Sequence, residues 1–212
     1  KEFFQSMKAN GCAADTVTYS VLMCGLCKTG DLNGAHALYK EMQEDGVFPD
    51  IVNYACMVKA CSNLRNLNEG RKLYAEIVIK GLEADLLIGH MLIDLYTSCG
   101  ALVDAQEVFD KLPQRDVISW NTVISGYAQQ GKSYEALICF DQMQREGVLP
   151  DAITFVCILN TCREILDVDN GKKIHHQLLK RGLLMTNDNV LHNSLVGMYG
   201  KCASLATARK IF

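Results

Sequence analysis

Residues 16–30 read TVTYSVLMCGLCKTG, and residues 117–131 read VISWNTVISGYAQQG. Each stretch puts apolar side chains at its fourth, seventh, eighth and eleventh places: Tyr19, Leu22, Met23 and Leu26 in one, Trp120, Val123, Ile124 and Tyr127 in the other. That spacing marks one face of an α-helix. Working outward at the same shift of 101 residues, Ala35, Met42, Gly46, Pro49 and Asp50 fall on Ala136, Met143, Gly147, Pro150 and Asp151. Cys56, Cys61, Gly70, Lys72 and Gly81 then fall on Cys157, Cys162, Gly171, Lys173 and Gly182. Two residues further out of step, Leu92, Tyr96, Cys99, Leu102, Ala105 and Phe109 match Leu195, Tyr199, Cys202, Leu205, Ala208 and Phe212. Self-similarity at a fixed period is the signature of a repeat architecture.

Each long period divides into three repeats: 16–50, 51–85 and 86–116, then 117–151, 152–188 and an incomplete 189–212, with residues 1–15 as the tail of a preceding repeat. A second helix is expected in each, because the sixteenth place carries Asp31, Asn66, Asp167 or Ser204, side chains that accept from orphan amides at a helix start. Ala101 and Lys132 break that pattern, and Asn66 with Glu69 has capping-box spacing. Gly46, Gly81, Gly147 and Gly182 close the second helix, and Pro49 or Pro150 forbids its continuation. The third repeat loses residues between Phe109 and Asp116, around Pro113, so its second helix is predicted to be shorter. One such hairpin cannot bury its own apolar stripe, so neighbours must stack into an elongated superhelix with a concave face.

Composition agrees with a foldable chain: 212 residues, 49% of them hydrophobic, suffice for a substantial core. No apolar run reaches the roughly 20 residues needed to span a bilayer, so a soluble protein with no membrane role is expected. The formal net charge of −3 supplies no global basic field, which weighs moderately against a nucleic-acid ligand. The chain opens on Lys1 without a secretory pattern, so any targeting segment is expected to lie outside it. Ten cysteines recur at repeat-equivalent places, and the one C-x-x-C, Cys24 with Cys27, has no second at finger spacing. They read as small core residues in a reducing compartment.

These features resemble the pentatricopeptide repeat proteins of organelles. Val17 to Gly30, closing with Val47-Phe-Pro-Asp50, is similar to the family's standard P-type repeat, as is 117–151. Residues 51–85, with Lys59-Ala-Cys61 and Glu69-Gly-Arg-Lys-Leu73, resemble its long L-type repeat, as do 152–188. Residues 86–116, with Leu92-Ile-Asp-Leu-Tyr-Thr-Ser-Cys-Gly100, resemble its short S-type repeat, and 189–212 a truncated one. The resemblance implies an all-α, right-handed superhelical solenoid of helix-turn-helix repeats, an α-α superhelix. The order P, L, S, P, L, S resembles the plant subfamily that recognises transcripts in the mitochondrion or chloroplast, mostly as cytidine-to-uridine editing factors.

The resemblance also implies that one repeat reads one base of single-stranded RNA through its fifth and last residues, while the second residue packs against the base. A short polar side chain can hydrogen-bond the edge of an unpaired base, so such a code is physically reasonable. It points to Ser20 and Asp50 beside Val17, a pairing that favours a purine, guanine first, and to Asn121 and Asp151 beside Ile118, which favours uracil. The third repeat presents His90 and Asp116 beside Leu87, a departure from the family's pattern that leaves its base open. The sixth offers Asn193 and Val190. The long repeats carry Ala55 and Val156 at the fifth place, which cannot bond a base edge, and are expected to act as spacers or as surfaces for organellar editing accessory proteins. The residues alone allow a plainer reading: Asp50, Asp85, Asp116, Asp151 and Asp188 fall in turns, where aspartate is favoured by local backbone bonding. The amide-rich starts of the first helices are also expected to attract phosphate.

No complete catalytic site is present. Gly126-Tyr-Ala-Gln-Gln-Gly131-Lys132-Ser133 fits the phosphate-loop pattern, but its glycines recur as Gly25 and Gly30 and belong to the repeat turn. None of the histidines, His36, His90, His175, His176 and His192, begins the H-x-E of a zinc deaminase, and no P-C-x-x-C follows. Editing chemistry is therefore expected beyond Phe212 or in a partner, with no cofactor and no metal in this chain. His175 and His176 are weak metal candidates, and Tyr19, Tyr54, Trp120, Tyr127 and Phe155 read as core rather than as stacking platforms. The competing function is a protein-interaction scaffold of the tetratricopeptide kind, whose period is close. Oligomeric state is not legible.

Overall fold

The computed structural model describes residues 2–185 and 189–202. The chain divides into two compact units, Lys1–Pro113 and Gln114–Phe212. In the first, α1 (Glu2–Ala9) precedes three hairpins: α2 (Thr16–Thr29) with α3 (Leu32–Glu44), α4 (Ile51–Leu64) with α5 (Leu67–Ile79), and α6 (Leu86–Ser98) with α7 (Leu102–Lys111). The second holds α8 (Val117–Gln129) with α9 (Ser133–Arg145), α10 (Ala152–Ile165) with α11 (Val168–Lys180), a 3₁₀ turn Leu183–Met185 and α12 (Asn189–Lys201). The described residues are helical throughout, with no strand among them. In each unit the first helices of successive hairpins pack side by side, α2 on α4 on α6 and α8 on α10 on α12. The second helices α3, α5, α9 and α11 pack against the first helices that follow them, α4, α6, α10 and α12.

The cores form from the stripe that the sequence predicts, with one adjustment. Tyr19, Met23, Trp120, Val123 and Ile124 are buried, whereas Leu22, Leu26 and Tyr127 are only half-buried. Core packing thus holds for Tyr19, Tyr54, Trp120 and Phe155, but Tyr127 keeps an accessible edge. On the second helices a small residue recurs where backbones approach: Ala35, Gly70, Ala105, Ala136 and Gly171. The glycines stand where the next helix brings a long side chain. A Cβ on Gly70 would lie 2.7 Å from Leu95 Cδ2, and one on Gly171 would lie 2.5 Å from Met198 Cε.

Helix starts and stops follow their expected chemistry in most places. Asp31, Asn66 and Asp167 accept from the amides of Gly34, Glu69 and Asn170, and Ala101 and Lys132 provide no side-chain cap. Asn66 supplies only half of the capping box expected with Glu69; the complete boxes are at Asp50 with Asn53 and Asp151 with Thr154. Ser204 and Asp188 lie outside the described residues. Helix α7 has 10 residues against 13 for α3, and where it stops Leu112 turns inward to pack on Gly89, which stands at the fourth place of its repeat. Gly89 leaves room for it.

The cysteines need a correction. All ten are free thiols, but only Cys56, Cys61 and Cys162 are buried, most others are half-buried and Cys12 is exposed. Helical periodicity puts several of them on the flank of the stripe rather than at its centre. Burial raises the Cys61 and Cys162 thiols to about 12, and Cys24 and Cys56 bring their Sγ atoms within 3.0 Å.

The first helices of repeats one and four are followed by Gly30 and Gly131 at φ 82° and 72°, but the equivalent residues after α4 and α10 are Arg65 and Leu166, at φ 51° and 59°. A side chain in this left-handed region costs about 1 to 2 kcal/mol. Arg65→Gly and Leu166→Gly are each expected to raise stability by about 1 kcal/mol, read as a higher urea midpoint at unchanged slope. Trp120→Ala is expected to cost about 3 to 5 kcal/mol through the cavity it leaves, measured the same way.

Candidate RNA-facing site

At every junction among the described residues, the residue that closes a repeat is the N-cap of the next first helix. Asp15, Asp50, Asp85, Asp116 and Asp151 accept through Oδ1 from the amides of Thr18, Asn53, Ile88, Ser119 and Thr154 at 2.8 to 3.0 Å. The turn chemistry read from the sequence is therefore helix capping. It also weighs against phosphate at these helix starts, because a carboxylate already accepts from one or two of the orphan amides and adds negative charge there.

One residue into each first helix stands a large apolar side chain that the core does not take up. Val17, Val52, Leu87, Ile118, Ile153 and Val190 are between 41% and 68% exposed, although apolar. Exposure of all six at the same helical place leaves a solvent-facing methyl surface beside each cap.

One turn further on are the fifth-place residues. In the second unit Asn121 and Asp151 meet directly: Asn121 Nδ2 donates to Asp151 Oδ1 at 3.0 Å. Thr154 completes the cluster, its Oγ1 lying 2.6 Å from Asn121 Oδ1 and accepting from the Asp151 amide at 3.1 Å. In the first unit Ser20 and Asp50 are joined through a third residue. Asn53 Nδ2 donates to Ser20 Oγ at 3.0 Å, and Asn53 Oδ1 accepts from the Asp50 amide at 3.0 Å. Ser20 is buried, more so than an edge position suggested, and its hydroxyl donates to the Thr16 carbonyl at 2.8 Å.

The remaining residues are not assembled in the same way. His90 is half-buried on α6 and Asp116 caps α8, in separate units. Asn193 and Val190 are exposed on α12, and the closing residue for that repeat is not in the chain. Ala55 and Val156 are half-buried and offer no polar atom. Asn53 and Thr154 escaped the sequence reading because a capping box was sought as Glu or Gln three residues after the cap, whereas Asn or Thr fills that place here. Their equivalence at the 101-residue shift was the available signal.

The phosphate-loop match has no loop. Gly126 to Gln129 lie inside α8, Gly131 is the turn glycine and Lys132 precedes α9. His175 Nδ1 lies 3.1 Å from the Tyr199 hydroxyl, and burial, then His176, lowers its pKa. No group of three metal-ligating side chains is found among the described residues, and no helix there is long and apolar enough to cross a membrane.

Stacked helical hairpins with a capped junction and a recurring exposed apolar residue define the chain as an α-helical repeat protein. A model of the PPR repeat family matches residues 14–63 and 115–164, and a PPR repeat model matches 52–82 and 90–117. The chain belongs to the pentatricopeptide repeat family. A chloroplastic pentatricopeptide repeat-containing protein of Arabidopsis thaliana is 41% identical over 132 residues, which are 62% of this chain and 18% of that protein. The chain spans less than a quarter of the length of the curated relatives it matches. The crystal structure of the pentatricopeptide repeat protein PPR10 from maize superposes with a TM-score of 0.75 at 25% identity, over 99% of this chain and 30% of that one. The PPR domain of Arabidopsis thaliana protein-only RNase P 1, crystallised in complex with tRNA, gives 0.72 at 15% identity over 88% of this chain and 100% of that domain.

Burial pulls the Asp151 carboxyl upward, but the Thr154 amide and the Asn121 and Thr154 side chains outweigh it and hold it below its ordinary value. A folded pKa below the unfolded one means that this stabilisation is complete above about pH 4 and is lost as pH falls through the folded value. Asp151→Ala is expected to cost about 1 kcal/mol at pH 7, with the gap to wild type closing as pH falls below the ordinary carboxylate range in parallel thermal melts.

Proposed function

We propose that this chain binds single-stranded RNA sequence-selectively, one base to a repeat, through the second, fifth and last residues of its repeats. The carrying observation is the meeting of Asn121 with Asp151 beside exposed Ile118: a polar pair for a base edge next to an apolar surface for its face. The Ser20, Asn53 and Asp50 cluster beside Val17 repeats that arrangement in the first unit. An unpaired base has both an apolar face and a hydrogen-bonding edge, and such surfaces suit it. The tRNA complex of the RNase P domain, a relative in fold, supports this ligand class.

The finer reading follows the resemblance. Repeats of P, L and S type alternate over 16–50, 51–85, 86–116, 117–151, 152–188 and 189–212, and the chain is the recognition part of a chloroplast or mitochondrial factor for cytidine-to-uridine editing or other RNA processing. The chloroplastic relative supports an organelle. His90 with Asp116 beside Leu87, and Asn193 beside Val190, serve further bases, while the long repeats, with Ala55 and Val156, space the readers or receive editing accessory proteins. The deaminase chemistry belongs to another domain or a partner.

Selection from a randomised RNA pool tests the reading. Guanine is expected at the base facing the first full repeat and uracil at the base facing the fourth. Recovery of no preferred sequence, together with tight binding to a protein, would remove it in favour of an interaction scaffold. Asn121→Thr is expected to change selection at that one base by about tenfold, the scale of one hydrogen bond, and to leave the others unmoved.

A further inference from the structure

Each reading pair touches the same third party. Asn53 and Thr154 are both the third residue of the repeat that follows the pair, they are equivalent at the 101-residue shift, and both are fully buried. Their hydrogen bonds determine which donors and acceptors the pair has left. At the first pair the assignment is forced. The Asp50 amide can only donate, so the atom of Asn53 facing it at 3.0 Å is Oδ1, and Nδ2 must face Ser20. The Ser20 hydroxyl has already given its proton to the Thr16 carbonyl. What remains is a lone pair on Ser20 Oγ and the Asp50 carboxylate, which are acceptors only.

The fourth pair is forced to a different state. The Asp151 carboxylate accepts, so Asn121 turns Nδ2 toward it, and Oδ1 must face Thr154. Thr154 Oγ1 accepts from the Asp151 amide and has one proton, which goes to Asn121 Oδ1 at 2.6 Å rather than to Asp151 Oδ1 at 2.9 Å. The Asn121 orientation does not depend on that proton, because Nδ2 toward the carboxylate already leaves Oδ1 facing Thr154. The bonds to Asp151 fall on Oδ1, so the pair offers one Asn121 N–H and the Asp151 Oδ2: a donor beside an acceptor.

We infer that the third residue of the following repeat, Asn53 behind the first pair and Thr154 behind the fourth, is a positioning residue that locks the donor and acceptor state of the pair and thereby supports its choice of base. The inference rests on the RNA-binding reading above. Guanine presents two donors, N1–H and N2–H, and meets two acceptors at Ser20 and Asp50. Uracil presents an oxygen and N3–H, and meets the Asn121 N–H and Asp151 Oδ2; guanine O6 with N1–H has the same pattern, so this state excludes cytosine and adenine. Cytosine would turn the bare N3, and adenine the bare N1, toward a carboxylate. At neither pair does Asn53 or Thr154 touch the base.

The test measures Kd of the full chain for four RNAs that differ only at the base facing the fourth repeat, and for four that differ only at the base facing the first. Thr154→Val keeps the shape and the main-chain cap but removes the hydroxyl. It is expected to reduce a uracil preference of about tenfold to about twofold or less, with the guanine preference unchanged, and Thr154→Ser is expected to restore it. Asn53→Thr and Thr154→Asn each install the residue that the chain already carries at the equivalent place, and each is expected to weaken selection at its own pair alone. If wild type discriminates among bases and these variants discriminate equally well, or lose affinity equally for all four RNAs, the positioning role is wrong and RNA recognition stands. If wild type shows no preference at either base, the RNA reading fails and the inference falls with it.

Discussion

The junction aspartate is the constraint on which the remaining architecture depends. A first helix presents orphan amides at its start, and in this chain the residue that satisfies them is the last residue of the repeat before. One carboxylate oxygen therefore fixes three things together: where the next helix begins, how the chain leaves the previous turn, and where the second oxygen is held. The exposed apolar residue of the new helix follows two residues after the cap, so polar and apolar surfaces stay in register from one junction to the next.

The caps also explain how a chain of net charge −3 can be read as an RNA binder. Negative charge at the helix starts is partly offset by the amides it caps, which leaves these places poor for phosphate. On the proposed reading, recognition draws on base edges and base faces more than on phosphate, and the hydrogen-bond inventory of a pair matters more than the overall field. Several cations are in any case engaged locally, as Lys59 is with Asp94 and Lys201 with Glu164.

Neighbouring repeats are not interchangeable modules. Arg65 and Leu166 take left-handed backbone at equivalent places, Gly70 and Gly171 make room for Leu95 and Met198 of the repeat that follows, and Leu112 folds onto Gly89 within its own repeat. The same holds for the reading pairs, since the third residue of one repeat completes the pair of the repeat before it. A repeat's polar face is thus defined across the junction.

The helices, their caps and their terminating glycines were legible in the sequence, because each depends on residues within a few positions of one another. Period, amphipathic stripe and Asp31, Asn66 or Asp167 at the sixteenth place are local signals, and the resemblance to a known family supplied Ser20 with Asp50 and Asn121 with Asp151 as pairs. What the tertiary structure alone decided was the state of those pairs. Ser20 is buried and bridged by Asn53, while Asn121, turned by Asp151, is held by Thr154, and both bridges span 33 residues of chain. A hydroxyl or an amide can donate or accept, and which it does is set by whatever packs against it; that partner comes from the next helix in the stack, so no reading along the chain assigns it.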